Sequence, residues 1–307
     1  MILRDWREAD ADLLRSRYDT EQRSWRDDLG WDTTWTWATV EQARITWGLP
    51  GLLALDDERA LTGWAFYMRQ GATLHVGGLV ASTRETTDAL IDGILRAAGG
   101  MEPVACFIRD RAEGLADGLL ARGFDVERFL YLSRPLSTHP PAGRSISAIT
   151  SEGTSGRFAH ADGPGAASLL RAAYSEVSGR HFAPNGTFEE WSQYVAGIVG
   201  QGGCGVFDDA ATRVVRDDRG LQALALITSI APETAHLAQL AVRPDCRGRG
   251  LASTLLHQAM VIAAEAGKQT MTLLVGERNA AARKLYASLG FVERGSFVAA
   301  RCDPARK

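Results

Sequence analysis

The sequence predicts an α/β protein made of two tandem copies of one mixed-sheet fold, with helices on both faces of each sheet. Three observations carry this prediction. Strand-like and helix-like segments follow each other in the same order twice along the 307 residues. A stretch containing Pro and Gly, 136–143, separates the two series. Each series ends with a helix, a glycine and a strand, at 118–128 and at 285–294.

In the first copy, apolar alternation predicts strands at 51–55, 60–69, 72–81 and 104–108, and a further strand after Gly123. Helices are predicted over 83–98, with Thr83 as N-cap, and over 111–121. Seven of the eight tryptophans lie in the first 64 residues, and their irregular spacing between 31 and 37 argues against a helix face. We interpret them as a seam between domains or subunits; the alternative is an amine-binding surface.

In the second copy, strands are predicted at 157–161, 212–216, 221–230, 234–242 and 270–275. The predicted helices are 165–175 after Pro164, 191–199 after a capping box that begins at Thr187, 251–266 before Gly267, and 280–288. The chain is therefore predicted to contain domains 1–136 and 151–307, joined by a linker at 137–150.

The most informative motif is the basic, glycine-rich stretch 247–252. It follows the apolar run 237–242 and opens the amphipathic helix 251–266. Gly248 and Gly250 lack a Cβ, so the backbone can approach a ligand closely. Backbone N–H groups at a helix N-terminus, beside arginines, are suited to phosphate oxygens.

Together with Arg243-Pro244 and the run 279–291, this motif resembles the GNAT superfamily of acetyltransferases, with specific motifs over about 235–295. The tandem arrangement resembles that of the mycothiol synthases. The resemblance implies that the second copy is a catalytic domain that transfers an acetyl group from acetyl-CoA to an amine, by direct attack. A small-molecule amine is favoured; the alternatives are a protein amine, or a non-catalytic regulator that binds acyl-CoA.

The resemblance also assigns the donor site. The backbone of the fourth strand would bind the pantetheine, and the N–H groups of the loop would bind the pyrophosphate. Asn279 and Arg283 are further cofactor contacts, although Asn279 alternatively only caps its helix. The predicted cofactor-binding residues are Leu240, Ala241, Val242, Arg247, Gly248, Arg249, Gly250, Leu251, Ala252, Asn279 and Arg283.

Three side chains are candidates for catalysis. Tyr286 stands where the family places the acid that protonates the departing thiolate. His236 and Glu233, near the start of the fourth strand, are candidates for the base that deprotonates the amine.

The first copy lacks these features. The residues after its fourth strand, 82–87, include no glycine, and Glu85 would repel a phosphate. The residue that corresponds to Tyr286 is Leu119. We therefore predict that 1–136 is a degenerate copy without a donor site.

Composition limits the other function classes. The net charge is −3, and residues 1–136 are acidic, with 16 Arg against 22 Asp and Glu. The second half is therefore the better place for an anionic ligand. The sequence contains no basic tract and no long apolar segment. Its four cysteines do not have the spacing of a metal site or of a disulfide framework. We expect a cytoplasmic monomer or homodimer, with no metal and no nucleic-acid or membrane partner.

Overall fold

The computed structural model describes residues 1–100, 102–137, 154–174, 181–200 and 204–303. All of the predicted linker except residue 137 lies outside these ranges. The chain forms two compact units. Unit 1 contains Met1–Tyr131, Gly276–Asn279 and Arg294–Lys307, and unit 2 contains Leu132–Val275 and Ala280–Glu293. Among the described residues, no helix has both the length and the apolar character needed to cross a membrane.

The described residues contain eight α-helices and thirteen strands. The strands are β1 (Ile2–Asp5), β2 (Gly51–Leu55), β3 (Leu61–Gln70), β4 (Thr73–Ala81), β5 (Val104–Arg109), β6 (Asp125–Pro135), β7 (Thr154–Arg157), β8 (Val206–Phe207), β9 (Arg213–Asp217), β10 (Gly220–Ala231), β11 (Thr234–Val242), β12 (Thr270–Gly276) and β13 (Val292–Cys302). The helices are α1 (Ala11–Ser24), α2 (Thr34–Trp47), α3 (Arg84–Ala97), α4 (Leu115–Ala121), α5 (Gly163–Ala173), α6 (Phe188–Gly200), α7 (Leu251–Glu265) and α8 (Ala280–Ser288).

The sheet of unit 1 has the order β1-β2-β3-β4-β5-β13-β6. Helices α3 and α4 cover one face, where residues such as Leu90, Ile94 and Leu115 form the core with β4 and β5. Helices α1 and α2 cover the other face through Leu14 and Trp37. This arrangement confirms the predicted mixed sheet with a helix layer on each face.

The sheet of unit 2 has the order β12-β11-β10-β9-β7, and β8 pairs with β10. Helices α5 and α6 pack on one face through an apolar cluster that includes Leu170, Trp191 and Leu224. Helix α7, which contacts β9, β10 and β11, buries Leu255 and Leu256 on the other face. The predicted capping box is present, since Thr187 and Glu190 exchange backbone-to-side-chain hydrogen bonds of 3.2 Å each.

The last strand of the chain, β13, lies in unit 1 from Arg294 onward. There, β13 pairs antiparallel with β5, with Val298 opposite Ile108 and Ala300 opposite Cys106. The sequence pattern predicted a strand here. It did not predict β5 as the neighbour, because propensity defines a strand and not its partner.

Three predictions about individual segments are wrong. Trp35 and Trp37 lie on the helix α2, where no helix was expected. Trp6, Trp37 and Trp64 form no seam, because they pack in the interior of unit 1. The strand predicted at 157–161 is β7 at Thr154–Arg157, because the Asp162 carboxylate accepts a 2.6 Å hydrogen bond from the N–H of Ala159 and stabilises a 3₁₀ turn.

Candidate functional site

Strands β11 and β12 separate part of the way along their length. They pair in parallel from Thr234–Thr270 to Leu237–Leu273, and the pairing ends there although both strands continue. On its other side β11 stays paired with β10 as far as Val242. The backbone groups of residues 238–242 that face β12 are therefore not used by that ladder. A gap of this kind accepts an extended ligand with amide groups.

The loop after β11 is exposed and is built on two left-handed glycines. Gly248 has φ +77° and Gly250 has φ +81°. No atom lies within 4 Å of a Cβ built at either position, so the space beside the backbone is open. Glycine adopts such φ values without strain, so Gly248 and Gly250 suit the turn at the start of α7.

Ion pairs brace the base of the loop. Arg243 donates to Asp217 and to Asp245, at 2.7 Å each. These bonds hold the pKa of both carboxyl groups below the usual range. Arg219 adds a second contact to Asp245 at 2.9 Å. The loop is thus tied to the β9–β10 hairpin before its glycines begin.

The N-terminus of α7 differs from that of α3, the helix at the same place in unit 1. The N-cap of α7 is Gly250, which provides no side-chain cap. The N-cap of α3 is Thr83, whose hydroxyl accepts from the N–H of Thr86 at 3.2 Å. The first-turn amides of α7 are therefore directed at the open loop, whereas α3 satisfies one of its amides internally.

Tyr286 lies on α8 in unit 2 and is only 6% exposed. Burial raises the pKa of its phenol, with a smaller contribution from nearby Tyr174. The hydroxyl makes no hydrogen bond with the part of the chain that the structure describes. Tyr286 is therefore a protonated phenol at neutral pH, held in a low-dielectric environment.

The comparison with known families agrees with this geometry. Residues 168–291 match the acetyltransferase (GNAT) family. This GNAT segment contains β11, the glycine loop, α7 and Tyr286. The resemblance predicted from the sequence is thereby confirmed.

Individual relatives support the same assignment. Over 62 residues, the chain is 37% identical to a protein of Methanocaldococcus jannaschii named as an uncharacterized N-acetyltransferase. That match covers 20% of this chain and 27% of the relative, so the chain spans about a quarter of the curated relative's length.

Two solved structures resemble most or nearly all of the fold. A GCN5-related N-acetyltransferase from Sphaerobacter thermophilus is 17% identical, with a TM-score of 0.65 over 98% of this chain and 96% of its own. A tandem GNAT protein from the clavulanic acid biosynthesis pathway is 17% identical, with a TM-score of 0.52 over 83% of each chain. At these identities the likeness establishes the fold, in agreement with the predicted tandem architecture.

The two candidate bases lie in different environments. His236 in the GNAT segment is 5% exposed, and burial lowers its pKa to about 4. Its Nδ1 lies 2.9 Å from Oγ1 of Thr272, which itself donates to the carbonyl of Ala235 at 3.4 Å. An imidazole that donates from Nδ1 to Thr272 carries its lone pair on Nε2. Glu233 is exposed in the β10–β11 turn, at the end of β11 away from the loop.

The remaining predicted residues lie on several elements. Leu240 and Val242 are half-buried and Ala241 is buried, all on the unpaired part of β11. Leu251 and Ala252 form the first turn of α7. The two loop arginines contact backbone carbonyls: Arg247 donates to that of Ala173 at 3.0 Å, and Arg249 donates to that of Asp245 at 3.3 Å. Arg283 is exposed on α8. Asn279 directly precedes α8 and is counted with unit 1.

The sequence reasoning missed a polar cluster on the α5 and α6 side of β11. Gln239 is 5% exposed and hydrogen-bonds both Tyr174, at 2.9 Å, and Tyr194, at 2.6 Å. The available signal was a single polar residue within the apolar run 237–242. A buried amide requires partners, so this residue predicts a polar cluster even without a structure.

Proposed function

We propose that unit 2 is an acetyl-CoA-dependent N-acetyltransferase that acts on the amine of a small molecule. The observation that carries the proposal is the combination, in one unit, of a gap beside β11, an uncapped N-terminus of α7 and the buried phenol of Tyr286. Acetyl-CoA supplies the acetyl thioester.

The residues present suit this donor. The unpaired backbone of Leu240, Ala241 and Val242 would bind the pantetheine amides. The pyrophosphate would be held by the N–H groups of 247–252, with positive charge from Arg247 and Arg249. Arg283 and Asn279 are proposed as additional contacts.

The proposed chemistry needs one acid and one base. Tyr286 would give its proton to the CoA sulfur as the thioester bond breaks. The raised pKa of Tyr286 is compatible with this role, because the same burial also raises the pKa of a thiol formed beside it. We assign the base to His236, whose imidazole is neutral at neutral pH and, as the Nδ1–H tautomer, has its lone pair on Nε2. Glu233 is the less favoured base because it lies in an exposed turn.

A direct test is a panel of small amines incubated with the full chain and acetyl-CoA, with the released thiol measured. We expect at least one small amine to release CoA faster than a lysine-containing peptide does. The control is acetyl-CoA hydrolysis by the same chain without amine. CoA release with peptides alone would favour a protein substrate. If no amine releases CoA faster than hydrolysis does, the proposed acetyltransferase activity is refuted.

A further inference from the structure

Four charged side chains form a closed ring of ion pairs at the base of the glycine loop in unit 2. Asp217 and Arg219 belong to the β9–β10 hairpin, whereas Arg243 and Asp245 lead from β11 into the loop. Arg243 donates to both carboxylates at 2.7 Å. Arg219 pairs with Asp245 at 2.9 Å and with Asp217 at 3.8 Å. Two carboxylates and two guanidinium groups sum to zero, so this charge ring adds no net charge to the loop.

The charge ring has a shielded half and an exposed half. The side chains of Asp217 and Arg243 are 8% and 18% exposed, against 48% for Asp245 and 64% for Arg219. The Asp217 carboxylate accepts from two nitrogens of the Arg243 guanidinium, at 2.7 and 3.3 Å, and from Nε2 of Gln222 at 3.0 Å. Exposed ion pairs contribute little because water and salt screen them, whereas a two-point contact in a shielded place is stronger. The pair Asp217–Arg243 is therefore the contact that fixes the ring.

Arg243 in turn fixes the path of the chain into the loop. Its backbone N–H donates to the carbonyl of Gln222 at 2.7 Å, and its carbonyl accepts from the N–H of Cys246 at 2.9 Å. The second bond closes the 3₁₀ turn Pro244–Cys246. Its Nη2 also lies 3.3 Å from Sγ of Cys246. Arg247, the first residue of the stretch proposed to bind pyrophosphate, follows this turn directly.

We propose that Asp217 is a positioning residue for the acetyl-CoA donor and acts through Arg243 on the loop 247–252. Arg243 then belongs to the support of the loop and not to the groups that contact phosphate, because its charge is already balanced by two carboxylates. A loop that is held in place before the ligand arrives binds more tightly, since less ordering is left to do. The link to the donor rests on the proposed function, whereas the order of the loop can be measured without any donor.

Charge and positioning predict opposite effects of Asp217→Asn. The variant removes one negative charge, so charge alone would strengthen the binding of an anionic donor. Loss of positioning should instead weaken acetyl-CoA binding by roughly tenfold, the effect of losing a hydrogen bond to a charged group. Arg243→Lys keeps the net charge but cannot make the two-point contact, and it should weaken binding by a similar factor. The double variant should be no weaker than either single variant, because the two residues act as one unit.

Asp162 provides a matched control in the same unit. Its carboxylate accepts from Nε of Arg216 at 3.0 Å and from the N–H of Ala159 at 2.6 Å, and its side chain is 13% exposed. Asp162→Asn therefore breaks a similar ion pair and removes the same charge, but at the turn before α5. Calorimetry with acetyl-CoA on the full chain should show a change of less than about threefold for this control.

Hydrogen–deuterium exchange without donor tests the order of the loop directly. The hydrogen-bonded amides of Cys246 and Arg247 should exchange faster in Asp217→Asn than in the wild type, and at the wild-type rate in Asp162→Asn. If Asp217→Asn does not fold, Arg243→Lys carries the same test.

Unchanged or tighter acetyl-CoA binding in Asp217→Asn would overturn the proposal. Equal losses in Asp217→Asn and Asp162→Asn, or unchanged exchange of the loop amides in Asp217→Asn, would also overturn it. A wild-type chain that does not bind acetyl-CoA contradicts the proposed donor site instead, and the exchange of the loop amides then still decides whether Asp217 positions the loop.

Discussion

Tyr286 and His236 show how burial defines what a residue can do. Burial raises the pKa of the phenol and lowers that of the imidazole, so both side chains are neutral at physiological pH. A neutral phenol can donate a proton and a neutral imidazole can accept one. The sequence identified both positions, but their protonation depends on packing that no local pattern encodes.

Replacing Tyr286 separates chemistry from packing. Tyr286→Phe keeps the ring, which packs 5.8 Å from Phe291 between centroids, and removes only the hydroxyl. If the phenol is the acid, kcat should fall by roughly 10²–10⁴-fold while acetyl-CoA affinity changes little. Steady-state kinetics and calorimetry on the same preparation measure the two effects. Unchanged kcat in the variant would show that the hydroxyl takes no part.

His236 predicts a pH effect on stability. Its folded pKa of about 4 lies below the ordinary value of 6.5. Between these two pH values the unfolded state binds the proton more strongly, so stability falls as pH falls, by on the order of 3 kcal/mol. His236→Gln does not titrate and lacks this loss. Denaturant unfolding at pH 7 and pH 4 should show the gap between wild type and variant shrinking at the lower pH; a constant gap contradicts the assignment.

At the scale of elements, the two helix N-termini explain why one unit and not the other is proposed to bind a nucleotide donor. Both units keep a separation between their fourth and fifth strands, since β4 and β5 pair only from Leu74–Val104 to Val76–Cys106. The difference lies in the turn that follows. Thr83 caps α3 with its side chain, while Gly250 leaves α7 uncapped. Turn chemistry is local, so this distinction was readable from the sequence.

The loop can be tested with a matched pair of glycine variants. Gly250 and Gly267 border opposite ends of α7, both with positive φ (+81° and +87°) and with no atom within 4 Å of a built Cβ. Gly250→Glu and Gly267→Glu thus introduce similar backbone strain and the same charge. Only Gly250→Glu puts that charge where the pyrophosphate is proposed to bind. Calorimetry should show acetyl-CoA binding lost in Gly250→Glu and kept in Gly267→Glu; equal losses would mean that strain alone is responsible.

At the scale of the molecule, sequence patterns predicted most elements but not their long-range partners. Strand β11 was predicted with its observed bounds, and the capping residue Thr83 was also identified. The pairing of β13 with β5 was missed, because it joins residues nearly 200 positions apart through backbone bonds that any strand can make. The Gln239 cluster was missed for a related reason, since Tyr174 and Tyr194 come from distant segments.

The position of β13 predicts the outcome of truncation. A chain of residues 145–307 would lack β5, so the apolar side chains of Val298 and Ala300, both buried in the full chain, would lose their neighbours on that strand. We expect this fragment to be insoluble, or to turn over amines poorly. Light scattering and the thiol assay on the fragment would check this. A soluble, monomeric fragment with full activity would contradict a necessary role for unit 1.

The most direct test of the central claim is the stoichiometry of acetyl-CoA binding to the full chain, measured by calorimetry. The uncapped N-terminus of α7 and the side-chain cap of α3 predict one acetyl-CoA per chain. Two molecules per chain would show that unit 1 also holds a donor site. No binding at all would contradict the assignment of unit 2 as an acetyltransferase.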